Sequence, residues 1–412
     1  MKLNYISKIT KSLLTLSQAL LLITFFLIFL TIPSCNSQDS LSKSINLSAN
    51  YIDTFSKPNG MFDYEVDIVT GNVSNRDYNI LRHAGTMYAL ANSYLVNKNK
   101  KSLDTLENST KFLKTCCIKP VDNNKDILGI WSLKSINKSL RTDKLKLGGT
   151  GLGLVALLSM EKIRPGLTDK DTLRKLGNFI LFMQKEEGNF YSRYIPPAGK
   201  DDSWTSLYYP GEAALGLVML YEYDPQPKWF NHAVKVLTYL AKSRKNVQKV
   251  PPDHWALLAT AKIIEISKKQ NLEIPNDLLI NHGKQVVNGI VAGVPAYSKD
   301  DPNSGCLTRD CRTTPSSTRL EGLISFYKVL GPQDTELKEK IATISHNGIE
   351  FLIRTQIKDG PYKGAIPSVY IDDITLLKKS SRRQIVVRID YVQHALSAFL
   401  DYKKVFESKK GN

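Results

Sequence analysis

Gly148-Gly-Thr-Gly-Leu-Gly-Leu-Val-Ala-Leu-Leu-Ser-Met160 opens on a run of glycines and is apolar on nearly every side of a helix. A helix without a polar face must be buried over most of its surface. Small residues such as Gly151, Gly153 and Ala156 let neighbouring helices come close. Working outward, the same kind of segment recurs at residues 79–96, 210–223, 253–266, 316–330 and 388–402. Between these lie amphipathic segments with charged faces, at 103–116, 170–184, 228–242, 276–289 and 335–356. Helical periodicity covers most of the chain, and strand alternation is scarce.

Six buried helices surrounded by amphipathic ones predict an all-α architecture, an α/α toroid with inner helices ringed by outer ones. A helical solenoid also alternates two helix types, but it calls for a more regular period than this spacing. Two amphipathic segments end in matching turns, Gln184-Lys-Glu-Glu-Gly188-Asn-Phe190 and Gln356-Ile-Lys-Asp-Gly360-Pro-Tyr362. They resemble the Gln…Gly…aromatic turns of the terpenoid-cyclase and prenyltransferase toroids. The openings Gly148–Gly153 and Tyr209-Pro-Gly-Glu-Ala213 resemble those toroids and the six-hairpin glycosidases. The resemblance is architectural and covers most of residues 79–402. It implies an active site at the mouth where the inner helices begin. The catalytic Asp-x-Asp-Asp of the cyclases is absent, so triterpene cyclisation is not implied.

The N-terminus reads as an export signal. Lys2, Lys8 and Lys11 precede a nearly uninterrupted apolar run over residues 13–31, followed by Ile32-Pro-Ser-Cys35. The segment resembles the lipobox of bacterial lipoproteins, which implies lipidation at Cys35; Pro33 departs from that pattern. Uncleaved, about 20 apolar residues would instead serve as a membrane anchor. Either way residues 1–34 are a signal peptide or anchor, and the folded domain is expected outside the cytoplasm, tethered to a membrane. Residues 35–52, rich in Ser and Asn, read as a polar tether, and 53–408 as the toroid domain. Cys306 and Cys311 are spaced to close a small disulfide loop in an oxidising compartment, or to remain free thiols.

The formal net charge is +17. It favours anionic surroundings, although a lysine-rich solvated surface is the simpler account of it. Nucleic acid is not expected as a partner, because the chain reads as exported and carries no nucleic-acid-binding motif.

Polar residues gather where the buried helices begin. Arg82 and His83 open the first. Asp202 and Trp204 precede the third, which opens with Tyr209 and Glu212. Asp253, His254 and Trp255 open the fourth. Arg319 and Glu321 lie on the fifth, and Arg388, Asp390, Tyr391 and His394 on the sixth. Taken singly, Asp253 and Glu212 read as a helix cap and a dipole partner, and His83 and His394 as core histidines. Their recurrence at one end of apolar helices points instead to a shared cleft, since buried charge is costly unless paired or used. Aromatic rings beside Arg, His and carboxylates suit sugar recognition.

The leading expectation is an exported enzyme acting on an envelope or extracellular, acidic polysaccharide or oligosaccharide, as a hydrolase, lyase or epimerase. Hydrolysis calls for two carboxylates among Asp202, Glu212, Asp253, Glu321 and Asp390. Elimination or epimerisation calls for proton transfer by His83, His254, His394, Tyr209 or Tyr391, with Arg82, Arg319 or Arg388 clamping an acid. The alternative is a non-catalytic lipoprotein that binds glycan or protein. No cofactor is expected. No metal is expected either, since Asp253, His254 and His394 lack a ligand-spacing motif.

Overall fold

The glycine-rich stretch at 148–160 lies in a helix in which every residue from Leu147 to Glu161 is buried. In the computed structural model, which describes residues 35–372 and 385–407, it is one of twelve α-helices among those residues. In chain order they are α1 Cys35–Thr54, α2 Ile80–Asn97, α3 Lys100–Phe112, α4 Leu147–Glu161, α5 Lys170–Phe182, α6 Tyr209–Tyr223, α7 Pro227–Arg244, α8 His254–Gln270, α9 Asn276–Ala292, α10 Thr313–Tyr327, α11 Thr335–Thr355 and α12 Ile389–Tyr402. The chain divides into two compact units, Met1–Ser42 and Lys43–Asn412. Of the first, the described residues are 35–42, the opening turns of α1. The basic lead and apolar run lie outside the described residues. No helix among the described residues is long and apolar enough to cross a membrane.

In the second unit the even-numbered helices form a closed inner ring. α2 packs on α4, α4 on α6, α6 on α8, α8 on α10, α10 on α12, and α12 returns to α2. The ring closes tightly because glycine replaces side chains at the contacts. A Cβ on Gly151 would stand 2.9 Å from the amide nitrogen of Ala213, and one on Gly216 would stand 2.9 Å from the carbonyl oxygen of Gly151. Backbone therefore meets backbone between α4 and α6, which no larger residue allows. First turns also meet first turns: Gly148 lies against Tyr209 and Glu212, Gly211 against Trp255 and Ala256, and Gly149 against Ile80 and Leu81. The helices thus run parallel, and their N-termini converge on one face, as the α/α-toroid expectation requires.

The odd-numbered helices bury one face each. α3, α5, α7, α9 and α11 are the amphipathic segments read from the sequence. Residues 43–52 differ from the expected tether, because the part of α1 in this unit is a sixth outer helix. Its Ser44, Ile45, Ser48, Tyr51, Ile52 and Asp53 are buried. The Gln356 side-chain amide, just past α11, donates to the Ser44 carbonyl at 3.0 Å and to Ser48 Oγ at 2.9 Å. On the other side Ser102 Oγ of α3 donates to Asp53 Oδ2 at 2.6 Å. Gln184, the counterpart of Gln356 after α5, likewise donates to the His232 carbonyl of α7 at 3.1 Å. Each glutamine thus ties one outer helix to the next.

α1 also ends in a third copy of the turn, Ser56-Lys-Pro-Asn-Gly60-Met-Phe62. Ser56 bridges Phe62 as Gln184 bridges Phe190. Gly60 and Gly188 sit at φ +85° and +111°, a conformation that favours glycine.

Short strands flank the N-terminal face. β1 Glu65–Asp67, β2 Val73–Ser74 and β8 Val386–Arg388 form one antiparallel sheet in the order β2-β1-β8. β3 Ile118–Val121, β4 Asn124–Ser132, β5 Lys144–Lys146, β6 Arg193–Ile195 and β7 Gly199–Asp201 form another in chain order. β5 runs directly into α4 and β8 into α12, so the sheets hold the residues that enter the inner helices. Cys306 and Cys311 are joined just before α10.

If α1 is the sixth outer helix, Gln356→Ala strips hydrogen bonds from two groups on it. Thermal melting and limited proteolysis should show a loss of about 1–3 kcal/mol with early cleavage near residues 43–54. Gln184→Ala should cost a similar amount without that cleavage.

Candidate active site at the helix-terminus face

Three inner helices bring His254, Glu321 and His394 together. His254 is the first residue of α8, Glu321 lies in the third turn of α10, and His394 in the second turn of α12. The imidazole rings of His254 and His394 stand 5.6 Å apart in an edge-to-face arrangement. His394 Nδ1 lies 2.7 Å from Glu321 Oε1. Glu321 and His254 are almost wholly buried, and the His394 side chain keeps 12% of its exposure. Neither nitrogen of His254 finds a hydrogen-bond partner among the described residues, nor does Glu321 Oε2. Burial holds His254 well below the usual imidazole pKa, with His394 adding to the shift, so its ring is neutral. Burial raises the Glu321 carboxyl to about 7, partly offset by His394. One nitrogen or oxygen from each of the three residues lies within 4.8 Å of the others.

A second group surrounds Glu212, in the first turn of α6. Its carboxylate fills the space that the missing side chain of Gly148 leaves open. Glu212 Oε2 is buried and unpartnered among the described residues. Burial and the nearby Asp253 push its pKa up to about 8, against the pull of Lys146. Lys146, the last residue of β5, is pushed down to about 8 by burial and by Lys144, Arg82 and Arg193. Tyr209 is half-buried beside Glu212, and Trp204 meets it edge-on at 5.6 Å. Trp204 is 45% exposed and carries the Arg193 guanidinium 5.2 Å over its ring. Tyr208 links the two groups: its ring lies 5.2 Å from His254, and its hydroxyl feels Arg319 and Glu212. Tyr208, which the sequence places at the opening of the third buried helix, was not among the expected site residues, nor was Lys146, although both directly precede an inner helix.

Several expected site residues have structural work instead. His83 is fully buried among Phe62, Tyr78 and Phe112; its nitrogens meet Tyr78 Oη at 2.8 Å and the Ser109 carbonyl at 3.2 Å. It is a core histidine facing α3. Asp253 caps α8 through the Ala256 amide at 3.1 Å and pairs with Arg244 at 3.0 Å, which occupies both oxygens. Asp390 is shared by Arg388 at 2.6 Å and Arg82 at 3.1 Å, so it is a counter-ion rather than a free acid. Removing one member of such a buried pair costs about 3–5 kcal/mol, so inactivity of an Asp253 or Asp390 variant would report folding. Asp202 is largely exposed and paired with Lys185 at 2.7 Å. Trp255 is 2% exposed and backs the two histidines, its ring 4.9 Å from His254, rather than offering a platform. Arg388 lies 4.7 Å over the Tyr391 ring. Arg319 is half-buried and has no carboxylate within salt-bridge distance among the described residues, its one bond being to the Pro315 carbonyl at 3.5 Å.

Glu212 gives a pH test. Between about pH 4.5 and 8 the folded protein keeps a proton on Glu212 that the unfolded chain has released, so stability from this group falls as pH rises through that window. The melting temperature of Glu212→Gln should therefore gain on the parent steadily from pH 5 to 8. Parallel curves would show that Glu212 is not held protonated.

No family model matches the sequence, and no curated protein sequence matches it. Solved structures match it in fold. A D-mannose isomerase aligns with a TM-score of 0.60 at 12% identity, covering 91% of this chain and 100% of that one. A cellobiose 2-epimerase from Bacillus thermoamylovorans aligns at 0.60 and 12%, covering 87% and 99%. An alpha-mannanase from Bacteroides thetaiotaomicron aligns at 0.59 and 13%, covering 89% and 97%. This chain therefore has the α/α-toroid, six-hairpin glycosidase-like fold.

Proposed function

We propose that the protein is a carbohydrate-active enzyme that transfers a proton at a sugar carbon, as an epimerase, isomerase or lyase. The observation that carries this reading is the pair of imidazoles, His254 and His394, 5.6 Å apart where the inner helices begin. Neutral His254 has one ring nitrogen with a free lone pair and is placed to accept a carbon-bound proton. As that C–H bond breaks, its electron pair moves onto the adjacent carbonyl oxygen, and a proton is returned to carbon or delivered to a leaving oxygen. His394, oriented by Glu321, is placed to supply it. The converging helix N-termini favour the negative charge that builds on the oxygen. Two of the similar structures, the mannose isomerase and the cellobiose epimerase, are named for chemistry of this kind.

Hydrolysis is less well supported. It needs two free carboxylates flanking one bond. Asp253, Asp390 and Asp202 are held in ion pairs, and Glu321 is held by His394.

The substrate we infer is an acidic sugar. Lys146 and Arg319 lack carboxylate partners within salt-bridge distance among the described residues, and Arg82 and Arg388 share a single counter-ion. We also infer export and lipid attachment at Cys35, supported by the lipobox-like sequence alone.

Solvent exchange tests the chemistry. With uronate oligosaccharides in deuterium oxide, NMR should show deuterium entering one ring carbon. His254→Ala and His394→Ala should each slow this by about 100-fold or more. Arg319→Met should raise KM for uronates and spare neutral sugars. New reducing ends without deuterium, or unaltered exchange in both histidine variants, would overturn the reading. For export, a labelled fatty acid should be incorporated into the full chain in bacterial cells and absent from Cys35→Ser.

A further inference from the structure

The proton-transfer reading uses His254, Glu321 and His394 but leaves their geometry partly unexplained. Buried polar atoms normally have partners, and an exception calls for an account. Here three such atoms belong to two residues of one cluster: both nitrogens of His254 and Glu321 Oε2. They come from α8 and α10, and His394 joins them from α12, so three backbones of the ring fix the cluster. Two imidazoles and one carboxylate are a ligand set for a borderline divalent ion.

The spacing is compatible with such an ion. Bond lengths of about 2.0–2.1 Å at tetrahedral angles put neighbouring ligand atoms about 3.3 Å apart. His394 Nδ1 and Glu321 Oε1 stand 2.7 Å apart, sharing a proton that a metal ion would replace. One atom from each of the three residues lies within 4.8 Å of the others, so His254 has at most about 1.5 Å to close. The Gln393 side-chain nitrogen, 3.2 Å from the same His394 Nδ1, would turn aside.

We propose that His254, Glu321 and His394 bind one zinc or cobalt(II) ion, leaving a fourth position open toward the helix-terminus face. The ion takes the lone pairs that proton transfer needs, so metal and catalysis compete. This second part rests on the proton-transfer reading, whereas the binding site does not.

Cobalt(II) titration of the chelator-treated full chain tests the site without turnover. One equivalent should bind with the strong visible absorption of four-coordinate cobalt, and zinc should displace it. His254→Ala and Glu321→Gln, checked for native circular dichroism, should each weaken binding at least tenfold. His346→Ala, on the exposed face of α11, should leave it unchanged. Absence of the absorption band, or equal affinity in both site variants, would overturn the site. Deuterium exchange should then fall in proportion to occupancy, and exchange that rises with zinc would overturn the competition. If the protein exchanges no proton at all, the cobalt result still stands or falls alone.

Discussion

Backbone contact between the inner helices is the constraint on which the rest of the molecule depends. Where Gly151 meets Ala213 and Gly211 meets Ala256, no side chain separates the helices. Helices held this closely exclude water from the side chains between them, which are therefore desolvated. Burial is accordingly the largest cause of the shifts at Glu212, Lys146, His254 and Glu321. The same packing that makes the ring stable thus sets the chemistry of its mouth.

The ionisable groups of that mouth divide by whether they have a partner. Asp253 and Asp390 are as deeply buried as Glu212, yet each faces an arginine and remains a counter-ion. Arg244, from the end of outer helix α7, reaches Asp253 beside the first residue of α8. His254 is therefore held indirectly, through the cap that precedes it. Glu212 and His254 lack such partners and are left neutral by desolvation. Neutral, unsatisfied groups beside neighbours that are fully satisfied mark the places where a ligand would complete the structure.

Much of the ring was legible in the sequence. Helices such as 148–160 have no polar face, and burial on all sides is the consequence they allow. The sixth outer helix was not legible. Residues 36–50 are rich in Ser and Asn, and a helix that buries serines against a glutamine has no strong apolar period. The signal that was available is the third turn, Ser56…Gly60…Phe62, in which serine stands where the other copies carry glutamine.

The site was legible only as a neighbourhood. Proximity to a helix start is common to Asp253, which turns back to cap its own helix, and to His254, one residue on, whose ring lies against Tyr208 and His394. Helical phase and the location of the nearest arginine separate the two, and both depend on the tertiary structure. His83 shows the same limit, since its position in the first turn of α2 aims it outward at α3.

One feature of the ring reaches beyond the mouth. The first outer helix, α1, lies between α11 and α3, and the last inner helix, α12, packs on α2. Chain order and spatial order therefore meet where the ring closes, and Gln356 secures that junction with the same bonds that Gln184 makes in the interior of the chain. The seam between beginning and end is built like any other joint. A circularly permuted polypeptide, opened at a different hairpin and spliced at this one, would assemble the same circle of helices.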